Sequence, residues 1–464
     1  MAPRDDTTLM RSYSRLKLRF RIWADTRKEP RDIRRRQAER FEDIVSFARD
    51  ESEFYGSLYE HLPESLDDLD DVPPVTKSEL MANFDGWVTD PEVERDELEA
   101  FVSDPSNRAE KYLGRYLAWR SSGTSGEPGL FLHDQYAITV YDLLNAIRGQ
   151  GNQFLAELPP SDRMAAVVAT GGNYATETQM ERIRQKSPLH ARKCRIYTVD
   201  QPTEELVAKL NEYRPGIIMG YPSAVRLLAE QHRSGRLLAD PDVVVVFGER
   251  LTARSRRQIS DAFECAITNL YGASEFTTIA LECPSGNLHP NVDWVRLEPV
   301  DDEYEPVEYG EPSSSVLLTN LANRVQPIIR YDMGDSISLH PPNCDCGSSL
   351  PVLSIKGRSG GILRFAAGQS EEVTVLPRSI EAAVDSDESI GRFQLIQTAE
   401  DELTVRFDVR TDADRNAVWS DVRERLQAKL RELGANGVEV VRSDRPPGAD
   451  SDSEKFQLVQ SRVA

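Results

Sequence analysis

Short apolar runs alternate with amphipathic segments through the middle of the chain. The runs are strand-sized and bounded by polar or turn residues, which predicts buried strands at 164–170, 216–220, 243–247, 266–270, 317–320 and 328–331. Segments between them repeat apolar positions every three or four residues and predict helices, for example at 203–212 and 224–233. Strands alternating with helices predict an α/β domain with a largely parallel sheet.

The two ends of the chain carry different patterns. Residues 1–72 have helical periodicity and finish in an acidic segment, 64–71, that is typical of a linker. After residue 361 the pattern is strand, strand, helix, strand at 394–397, 403–409, 417–432 and 437–441, which predicts a small α+β unit. Gly360 and Gly361 at its entrance predict a hinge, with an ordinary turn as the alternative. The predicted domains are therefore 1–72, 73–357 and 358–464.

Length and charge narrow the possibilities. A chain of 464 residues exceeds the usual size of one core, and its net charge of -21 argues against nucleic acid as a general partner. No apolar run approaches the ~20 residues that span a bilayer, and the arginine-rich start does not have a signal-peptide pattern. A cytoplasmic location without a transmembrane segment is expected.

The positive charge is concentrated at the start of the chain. Residues 1–40 contain 13 Lys and Arg against 6 Asp and Glu, which gives +7 there and -28 in the remainder. Such a basic segment could dock on an acidic partner or an anionic membrane. The alternative is a solvated helix that pairs with the acidic body of the same chain.

A loop of small and hydroxyl-bearing residues separates two apolar runs, 116–119 and 129–132. The runs predict a β-hairpin, and the loop would expose backbone N–H groups that can hold phosphate oxygens. Its spacing differs from that of a Walker loop, and Glu127 stands where a lysine would be expected. A plain flexible turn is the alternative. The candidate phosphate-binding residues are Ser121, Ser122, Gly123, Thr124, Ser125 and Gly126.

Further short motifs follow in a fixed order. They are Pro74-Val75-Thr76-Lys77, Phe247-Gly248-Glu249-Arg250, Tyr271-Gly272-Ala273-Ser274-Glu275, Arg330-Tyr331-Asp332-Met333-Gly334-Asp335, Lys356-Gly357-Arg358-Ser359 and Glu454-Lys455-Phe456. From about Pro73 onward the chain resembles the acyl-adenylate-forming ligases, and within them the phenylacetate–coenzyme A ligase branch and its capsule-biosynthesis relatives. The resemblance implies a large N-terminal adenylate-forming domain with mostly parallel sheets and a small mobile α+β C-terminal domain.

The resemblance also implies roles for individual residues. Thr124 would offer a hydroxyl to phosphate or metal, and Glu275 would be the magnesium carboxylate, since Mg²⁺ takes oxygen ligands and shares them with phosphates. Asp335 would bind both ribose hydroxyls, and Arg358 would reach ribose or phosphate. Without the motifs, each would be interpreted as an ordinary surface or core residue. The expected adenine pocket contains Tyr271, Gly248 and Glu249.

Lys455 resembles the family lysine near the C-terminus, which swings into the site and stabilises charge during adenylation. The chain departs from the family at three places. Glu454 replaces the usual glycine, Glu127 replaces a loop lysine, and Gly360-Gly361 replaces an acidic pair. Adenylation is expected to be retained, and the departures bear on the second half-reaction.

Three of the five cysteines form a pattern with a histidine. An odd number of cysteines argues against a complete disulfide framework. Cys283, His289, Cys344 and Cys346 suit a tetrahedral structural zinc, and members of the ligase branch have a similar arrangement. His340 is the alternative to His289, and unrelated thiols are the alternative to a metal site.

The leading functional hypothesis is ATP-dependent adenylation of a small-molecule carboxylic acid, with transfer of the acyl group to a thiol, expected to be coenzyme A. One alternative is an adenylating enzyme that passes acyl or AMP to a non-CoA acceptor. Another is a nucleotide-binding regulatory protein without turnover. Tyr174, Tyr221 and the loop 171–173 are candidates for the acid pocket. A homodimer is left open.

Overall fold

The architecture is taken from a computed structural model of the chain. The structure describes residues 6–26, 28–63, 71–121, 129–149, 163–249, 251, 253–301, 303–355, 363–367, 371–375, 379–380, 383–384, 387, 389–409, 414–447, 459–461 and 463.

Thirteen α-helices, one short 3₁₀ helix (Pro105–Asn107) and twenty strands have defined bounds within those residues. The helices are α1 (Asp6–Asp25), α2 (Pro30–Glu51), α3 (Glu53–Leu58), α4 (Lys77–Ala82), α5 (Phe84–Trp87), α6 (Arg95–Ser103), α7 (Gln135–Arg148), α8 (Ala175–Gln185), α9 (Pro188–Lys193), α10 (Thr203–Tyr213), α11 (Pro222–Arg233), α12 (Ala253–Phe263) and α13 (Arg415–Glu432). The strands are β1 (Leu117–Arg120), β2 (Leu130–His133), β3 (Met164–Val168), β4 (Cys194–Thr198), β5 (Ile217–Gly220), β6 (Val243–Phe247), β7 (Ala266–Tyr271), β8 (Ala280–Glu282), β9 (Leu288–Pro290), β10 (Val295–Val300), β11 (Ser315–Asn320), β12 (Tyr331–Asp332), β13 (Ile337–His340), β14 (Val352–Ile355), β15 (Leu363–Ala367), β16 (Glu371–Val375), β17 (Ile390–Ala399), β18 (Glu402–Val409), β19 (Glu439–Arg442) and β20 (Val459–Ser461).

The chain divides into two compact units, each assembled from three separate segments. Unit 1 comprises Met1–Trp119, Leu130–Ser161 and Thr268–Lys356, and unit 2 comprises Arg120–Gly129, Asp162–Ile267 and Gly357–Ala464. Unit 1 contains the helices α1 to α7 and two antiparallel arrangements of strands, β10-β11-β12 and β8-β9-β14-β13. The described residues of the N-terminal segment form the helices α1, α2 and α3.

Two motifs that are far apart in sequence pair directly within unit 1. The Val75 N–H donates to the Arg330 carbonyl at 3.0 Å, and the Asp332 N–H donates to the Val75 carbonyl at 2.9 Å. The next residue, Thr76, starts α4 with a capping box, because its hydroxyl accepts from the Glu79 N–H while the Glu79 carboxylate accepts from the Thr76 N–H. The segment that starts the resemblance is thereby attached to the Arg330–Asp335 motif.

Unit 2 contains the parallel sheet that the sequence predicts. Strands β4, β3, β5 and β6 lie side by side in parallel, and every residue of β3, β5 and β6 is buried. Continuous burial explains their uninterrupted apolar sequences, since helices cover both faces of such a sheet.

The C-terminal part of unit 2 has its own core. Strands β17 and β18 are antiparallel, and each also pairs in parallel with an outer strand, β20 and β19 respectively. Leu395, Phe407, Val422 and Leu426 are among the buried residues that join this sheet to α13. The predicted α+β unit and the α/β class of the whole chain are confirmed. The mobility of the α+β unit and the exact limits of the predicted domains stay predictions.

One predicted strand is wrong in part. The pattern predicted a strand over 328–331, but β12 contains only Tyr331 and Asp332. Arg330 adopts a left-handed φ of 44°, and its N–H donates to the Thr319 hydroxyl instead of to a strand partner. Ile328 and Ile329 are apolar and buried, and this gave the sequence a strand-like pattern although neither residue belongs to a strand.

Candidate functional site

A tight turn after β7 carries Glu275. A Cβ at Gly272 would lie 2.3 Å from the Thr277 carbonyl oxygen, so only glycine fits there. The Ala273 N–H donates to the Phe276 carbonyl at 3.1 Å and closes the turn. The Glu275 side chain is thereby held in a largely buried position.

Two backbone carbonyls of this turn are held by buried side chains. The Ser274 oxygen accepts from Trp119 Nε1 at 3.0 Å and lies 3.1 Å from His133 Nε2. The Glu275 oxygen accepts from Asn320 Nδ2 at 2.8 Å. Trp119 lies on β1, His133 ends β2 and Asn320 ends β11, so three separate strands converge on the turn.

Tyr141 on α7 links two of these side chains. Its Oη lies 3.2 Å from His133 Nδ1 and accepts from Asn320 Nδ2 at 2.7 Å. A carbonyl oxygen only accepts, so His133 carries its proton on Nε2, and the Tyr141 hydroxyl donates to Nδ1. His133 also stacks on Trp119, with ring centroids 4.3 Å apart. Burial lowers the pKa of His133 to about 3, which keeps the ring neutral.

Asp335 lies against the start of the same turn. The Tyr271 hydroxyl donates to Asp335 Oδ2 at 2.8 Å, and both residues are buried. Gly334 precedes it with a φ of 64°, and its N–H donates to Asp332 Oδ1 at 2.8 Å. Asp332 also accepts from the Tyr304 hydroxyl at 3.0 Å. Glu275 and Asp335 are therefore placed by neighbouring elements of unit 1.

Gly248 and Glu249 follow β6 in unit 2. Gly248 has a φ of 77°, and a Cβ there would meet the Tyr221 ring at 3.0 Å. The Glu249 carboxylate accepts from the Ser223 N–H at 3.0 Å and from its hydroxyl at 2.9 Å. Since Ser223 lies in the first turn of α11, the carboxylate caps that helix.

The loop 171–173 of unit 2 has an unusual backbone. Gly171 and Asn173 both have positive φ, and the Gly171 N–H lies 3.1 and 3.2 Å from the two carboxylate oxygens of Glu177. Glu177 is buried at the start of α8. The loop conformation is therefore maintained by a buried acid.

Several predicted site residues lie outside the described residues. Ser121 is described: its N–H donates to the Gly129 carbonyl, and its hydroxyl accepts from the Gly129 N–H, both at 2.7 Å. These bonds and the pairing of β1 with β2 confirm the predicted hairpin. The residues outside are Ser122, Gly123, Thr124, Ser125, Gly126, Glu127, Arg250, Lys356, Arg358, Gly360, Gly361, Glu454 and Lys455.

The predicted metal ligands meet in unit 1. One ligand atom from each of Cys283, His289, Cys344 and Cys346 lies within 4.8 Å of all the others. The Cys283 and Cys344 sulfurs are 3.7 Å apart, well beyond a disulfide bond, and Cys346 Sγ lies 3.3 Å from His289 Nε2. His340, the alternative ligand, is not part of this cluster.

Hydrogen bonds orient the ligand atoms. His289 Nδ1 lies 2.9 Å from the Pro351 carbonyl, so it carries the proton and leaves the Nε2 lone pair facing the sulfurs. A hydrogen bond from the Cys346 backbone N–H lowers the pKa of Cys344 to about 6. Burial, together with the neighbouring Cys344 and Cys283 sulfurs, raises the pKa of Cys346 to about 12. A bound cation would remove the cost of placing thiolates side by side.

Sequence reasoning missed Trp119, His133, Tyr141 and Asn320. His133 and Asn320 are polar residues that end apolar strands, and that position was the available indication. Trp119 and Tyr141 lie within apolar patterns and could not be separated from ordinary core residues.

Among the described residues, no helix is both long enough and apolar enough to cross a membrane.

Comparison with known proteins finds relatives along most of the chain, although no family profile matches it. The chain is 22% identical to Protein CapK of Staphylococcus aureus, covering 87% of this chain and 84% of that protein. It is 24% identical to phenylacetate-coenzyme A ligase of Thermus thermophilus, covering 92% and 96% respectively. These relatives confirm the predicted resemblance.

Solved structures agree with this comparison at the level of the fold. A 2-hydroxyisobutyryl-CoA ligase, in complex with 2-HIB-AMP and CoA in the thioesterification state, has a TM-score of 0.56 at 18% identity, covering 94% of this chain and 91% of that one. The same ligase in the postadenylation state with R3-HIB-AMP has a TM-score of 0.53, at 94% and 90% coverage. The chain therefore has the fold of the adenylate-forming CoA ligases.

Proposed function

We propose that this chain is an AMP-forming acid–thiol ligase that adenylates a carboxylic acid and transfers the acyl group to coenzyme A. The hydrogen bond between Tyr271 and Asp335 carries the proposal, because it joins two motifs that lie 64 residues apart in one buried acidic site. The relationship to phenylacetate-coenzyme A ligase over nearly the whole of both chains supports the same activity.

The reaction has two steps. In the first, an oxygen of the acid attacks the α-phosphorus of ATP, the bond to the β-phosphate oxygen breaks, and pyrophosphate leaves. In the second, the thiol sulfur attacks the acyl carbon, its proton is lost, and AMP leaves with the electron pair of the broken C–O bond. Both leaving groups are anions, so positive charge and aligned donors in the site lower both barriers.

Each candidate residue has a distinct task in this scheme. Glu275 would hold Mg²⁺, which neutralises phosphate charge when bound. Asp335, held by Tyr271, would accept hydrogen bonds from the ribose hydroxyls. The loop Ser121–Gly126, including Thr124, would bind the triphosphate; Arg358 would contact ribose or phosphate, and Lys455 would act during adenylation. Magnesium, a cytoplasmic location and a homodimer stay predictions.

The cysteine cluster is proposed to hold a structural zinc ion. With Zn–S bonds of about 2.3 Å, two sulfurs of a tetrahedron lie roughly 3.8 Å apart. The 3.7 Å between the Cys283 and Cys344 sulfurs matches that edge, and the oriented His289 supplies the fourth ligand. The cluster connects the β8–β9 hairpin to the segment that precedes β14, so the ion would stabilise unit 1 and take no part in catalysis.

Acid-dependent exchange of pyrophosphate into ATP tests the proposal. Phenylacetate and 2-hydroxyisobutyrate are the first acids to try, because related ligases are named for them. Thioester formation on addition of coenzyme A separates the proposed activity from transfer to another acceptor. Binding of ATP without exchange for any acid would instead indicate a regulatory protein.

Glu275→Gln tests the assigned magnesium carboxylate. The variant should lose exchange while melting like the wild type, because it removes one charge and keeps the shape. The exposed Glu311→Gln is the matched control and should retain full activity. Near-normal exchange in a folded Glu275→Gln variant would exclude Glu275 as the magnesium ligand.

A further inference from the structure

We propose that Trp119, His133, Tyr141 and Asn320 form a carbonyl clamp that positions Glu275 for metal binding. This inference rests on the proposed function, since it concerns the same site. The clamp residues are positioning residues, because they act on the backbone of Ser274 and Glu275 and not on the reacting atoms.

The clamp fixes two consecutive peptide groups. Trp119 and His133 hold the Ser274 oxygen, and Asn320 holds the Glu275 oxygen. Fixing the peptide on both sides of the Glu275 Cα fixes the direction in which its side chain leaves the backbone. A metal-binding carboxylate needs such support, because errors near 0.5 Å already weaken a site.

The hydrogen bonds of the clamp allow one arrangement of protons. Asn320 Oδ1 accepts from the Ala322 N–H at 3.0 Å and from the Asn323 N–H at 3.2 Å, so its NH₂ group must face the turn. That group donates to the Tyr141 oxygen and to the Glu275 carbonyl, and the Tyr141 hydroxyl donates onward to His133. All four side chains are fully buried. A purely apolar core would not require this ordered set of polar groups.

Two substitutions of His133 separate positioning from packing. In His133→Gln the terminal amide can reach the place of Nε2 and still donate to the Ser274 oxygen, whereas the shorter His133→Asn cannot. We expect His133→Asn to raise the Mg²⁺ concentration for half-maximal exchange about 10–100-fold, as the loss of residues that orient metal ligands commonly does. His133→Gln should largely restore the wild-type value, and the KM for the acid should stay unchanged.

A control substitution and a second variant complete the test of the clamp. His232→Asn, a histidine in unit 2 that contacts the Leu237 carbonyl, is the matched control and should leave the Mg²⁺ dependence unchanged. If His133→Asn fails to fold, Tyr141→Phe removes only the hydroxyl and should show a smaller shift in the same direction. Two results would refute the positioning role. One is an equal loss of Mg²⁺ affinity in His133→Gln and His133→Asn, and the other is a lowered melting temperature with an unchanged Mg²⁺ dependence.

A binding readout separates this proposal from the proposed function. Calorimetry of Mn²⁺-dependent ATP binding does not require turnover. If the wild type showed no exchange with any acid, weaker Mn²⁺-dependent binding in His133→Asn alone would still support the clamp. Identical binding by the wild type and His133→Asn would overturn it.

A second observation concerns the surface of α1. Leu16, Phe20 and Trp23 are 65%, 66% and 46% exposed and follow one another at helical spacing along one stripe. Leu18 and Ile22 are buried on the other side, where α1 packs against α7 of the same unit. Phe20 and Trp23 pack side by side, with centroids 5.8 Å apart. The helix therefore has a second apolar face that the described part of unit 1 does not cover.

We infer that this stripe docks on an anionic lipid surface. Arg15, Lys17, Arg19 and Arg21 flank it, while the chain as a whole carries -21. Apolar and aromatic side chains flanked by cations are the composition of helices that lie in the interface of anionic bilayers. A second copy would bring the same cations against them, which disfavours pairing of two α1 stripes.

Vesicle sedimentation tests this surface. The full chain should bind vesicles that contain phosphatidylglycerol, bind pure phosphatidylcholine weakly, and dissociate as salt rises. The triple variant Leu16→Ser, Phe20→Ser, Trp23→Ser should bind at least ~10-fold more weakly, because it loses insertion of three apolar groups. Leu189→Ser, at a leucine of unit 2 that is 54% exposed, is the control and should bind like the wild type. No binding to anionic vesicles, or self-association that the triple variant abolishes, would overturn the assignment.

Discussion

Removing one ligand of the cysteine cluster tests the proposed zinc site most directly. His289→Asn is the sharpest change, because the asparagine amide can still donate to the Pro351 carbonyl as Nδ1 does, but nothing replaces Nε2. The ion would then keep three protein ligands in place of four. Wild-type protein should contain about one zinc per chain, and the variant should lose it on dialysis.

The expected effect on stability follows from ligand binding to the folded state. At free zinc near a thousand times its Kd, binding stabilises the fold by about 4 kcal/mol. For a unit of 150–250 residues, each kcal/mol moves the melting temperature by roughly 2–4 °C. His289→Asn should therefore melt roughly 8–16 °C lower than the wild type in zinc-containing buffer.

Chelation distinguishes loss of the metal from damage to the core. In excess chelator, the wild type and His289→Asn should melt at nearly the same temperature, because neither carries the ion. His340→Asn is the matched control, since His340 lies on β13 outside the cluster and should keep both zinc and stability. Freshly purified wild type without zinc, or a melting difference that survives chelation, would refute the reasoning.

Other consequences can be measured separately. Lys455→Ala, although that residue lies outside the described ones, should slow adenylation by ~10²–10³ and spare thioester formation from a supplied acyl-adenylate; equal losses in both steps would exclude a swinging lysine. Tyr271→Phe should lower the free energy of unfolding by roughly 1.5–3 kcal/mol, measured in urea, and raise the KM for ATP, because Asp335 loses a donor. Because the folded protein protonates His133 only near pH 3 and the unfolded chain does so near 6.5, stability should fall as pH decreases through that window; at pH 5 this group should cost roughly 2 kcal/mol, and His133→Gln should show less pH dependence.

The sequence predicted what depends on local pattern and failed where distant segments meet. The parallel strands were readable because continuous burial demands continuous apolar residues, as in β3 and β6. The short antiparallel strands β8 and β9 could not be predicted, since each has only three residues and is stabilised by its neighbours. The strand predicted at 328–331 failed for the same reason, because buried apolar residues produce the sequence pattern of a strand even where no strand pairing forms.

The residues of the candidate site likewise divide into those that the sequence indicated and those that only the structure reveals. Glu275 and Asp335 could be named because the resemblance carries them, yet only the structure shows that Tyr271, which starts the motif of Glu275, donates to Asp335. The sequence already named His289 as the ligand and His340 as the alternative, and the structure brings His289, but not His340, to the three sulfurs. The clamp was beyond sequence reasoning because its members come from three strands and a helix, and their meaning lies in the hydrogen bonds between them.

The pairing of the Val75 segment with the Arg330–Asp335 motif has a consequence for biosynthesis. The Arg330 guanidinium binds the Val72 carbonyl across 258 residues of chain, which the ribosome needs roughly 13–50 s to add. Unit 1 is discontinuous, and its last segment begins at Thr268, so its first half emerges long before its partner exists. Throughout that interval Val72 and Val75, buried in the finished fold, lack the Arg330 segment that bonds to them. We therefore expect unit 1 to complete its folding only after Thr268 and the residues beyond it have left the ribosome.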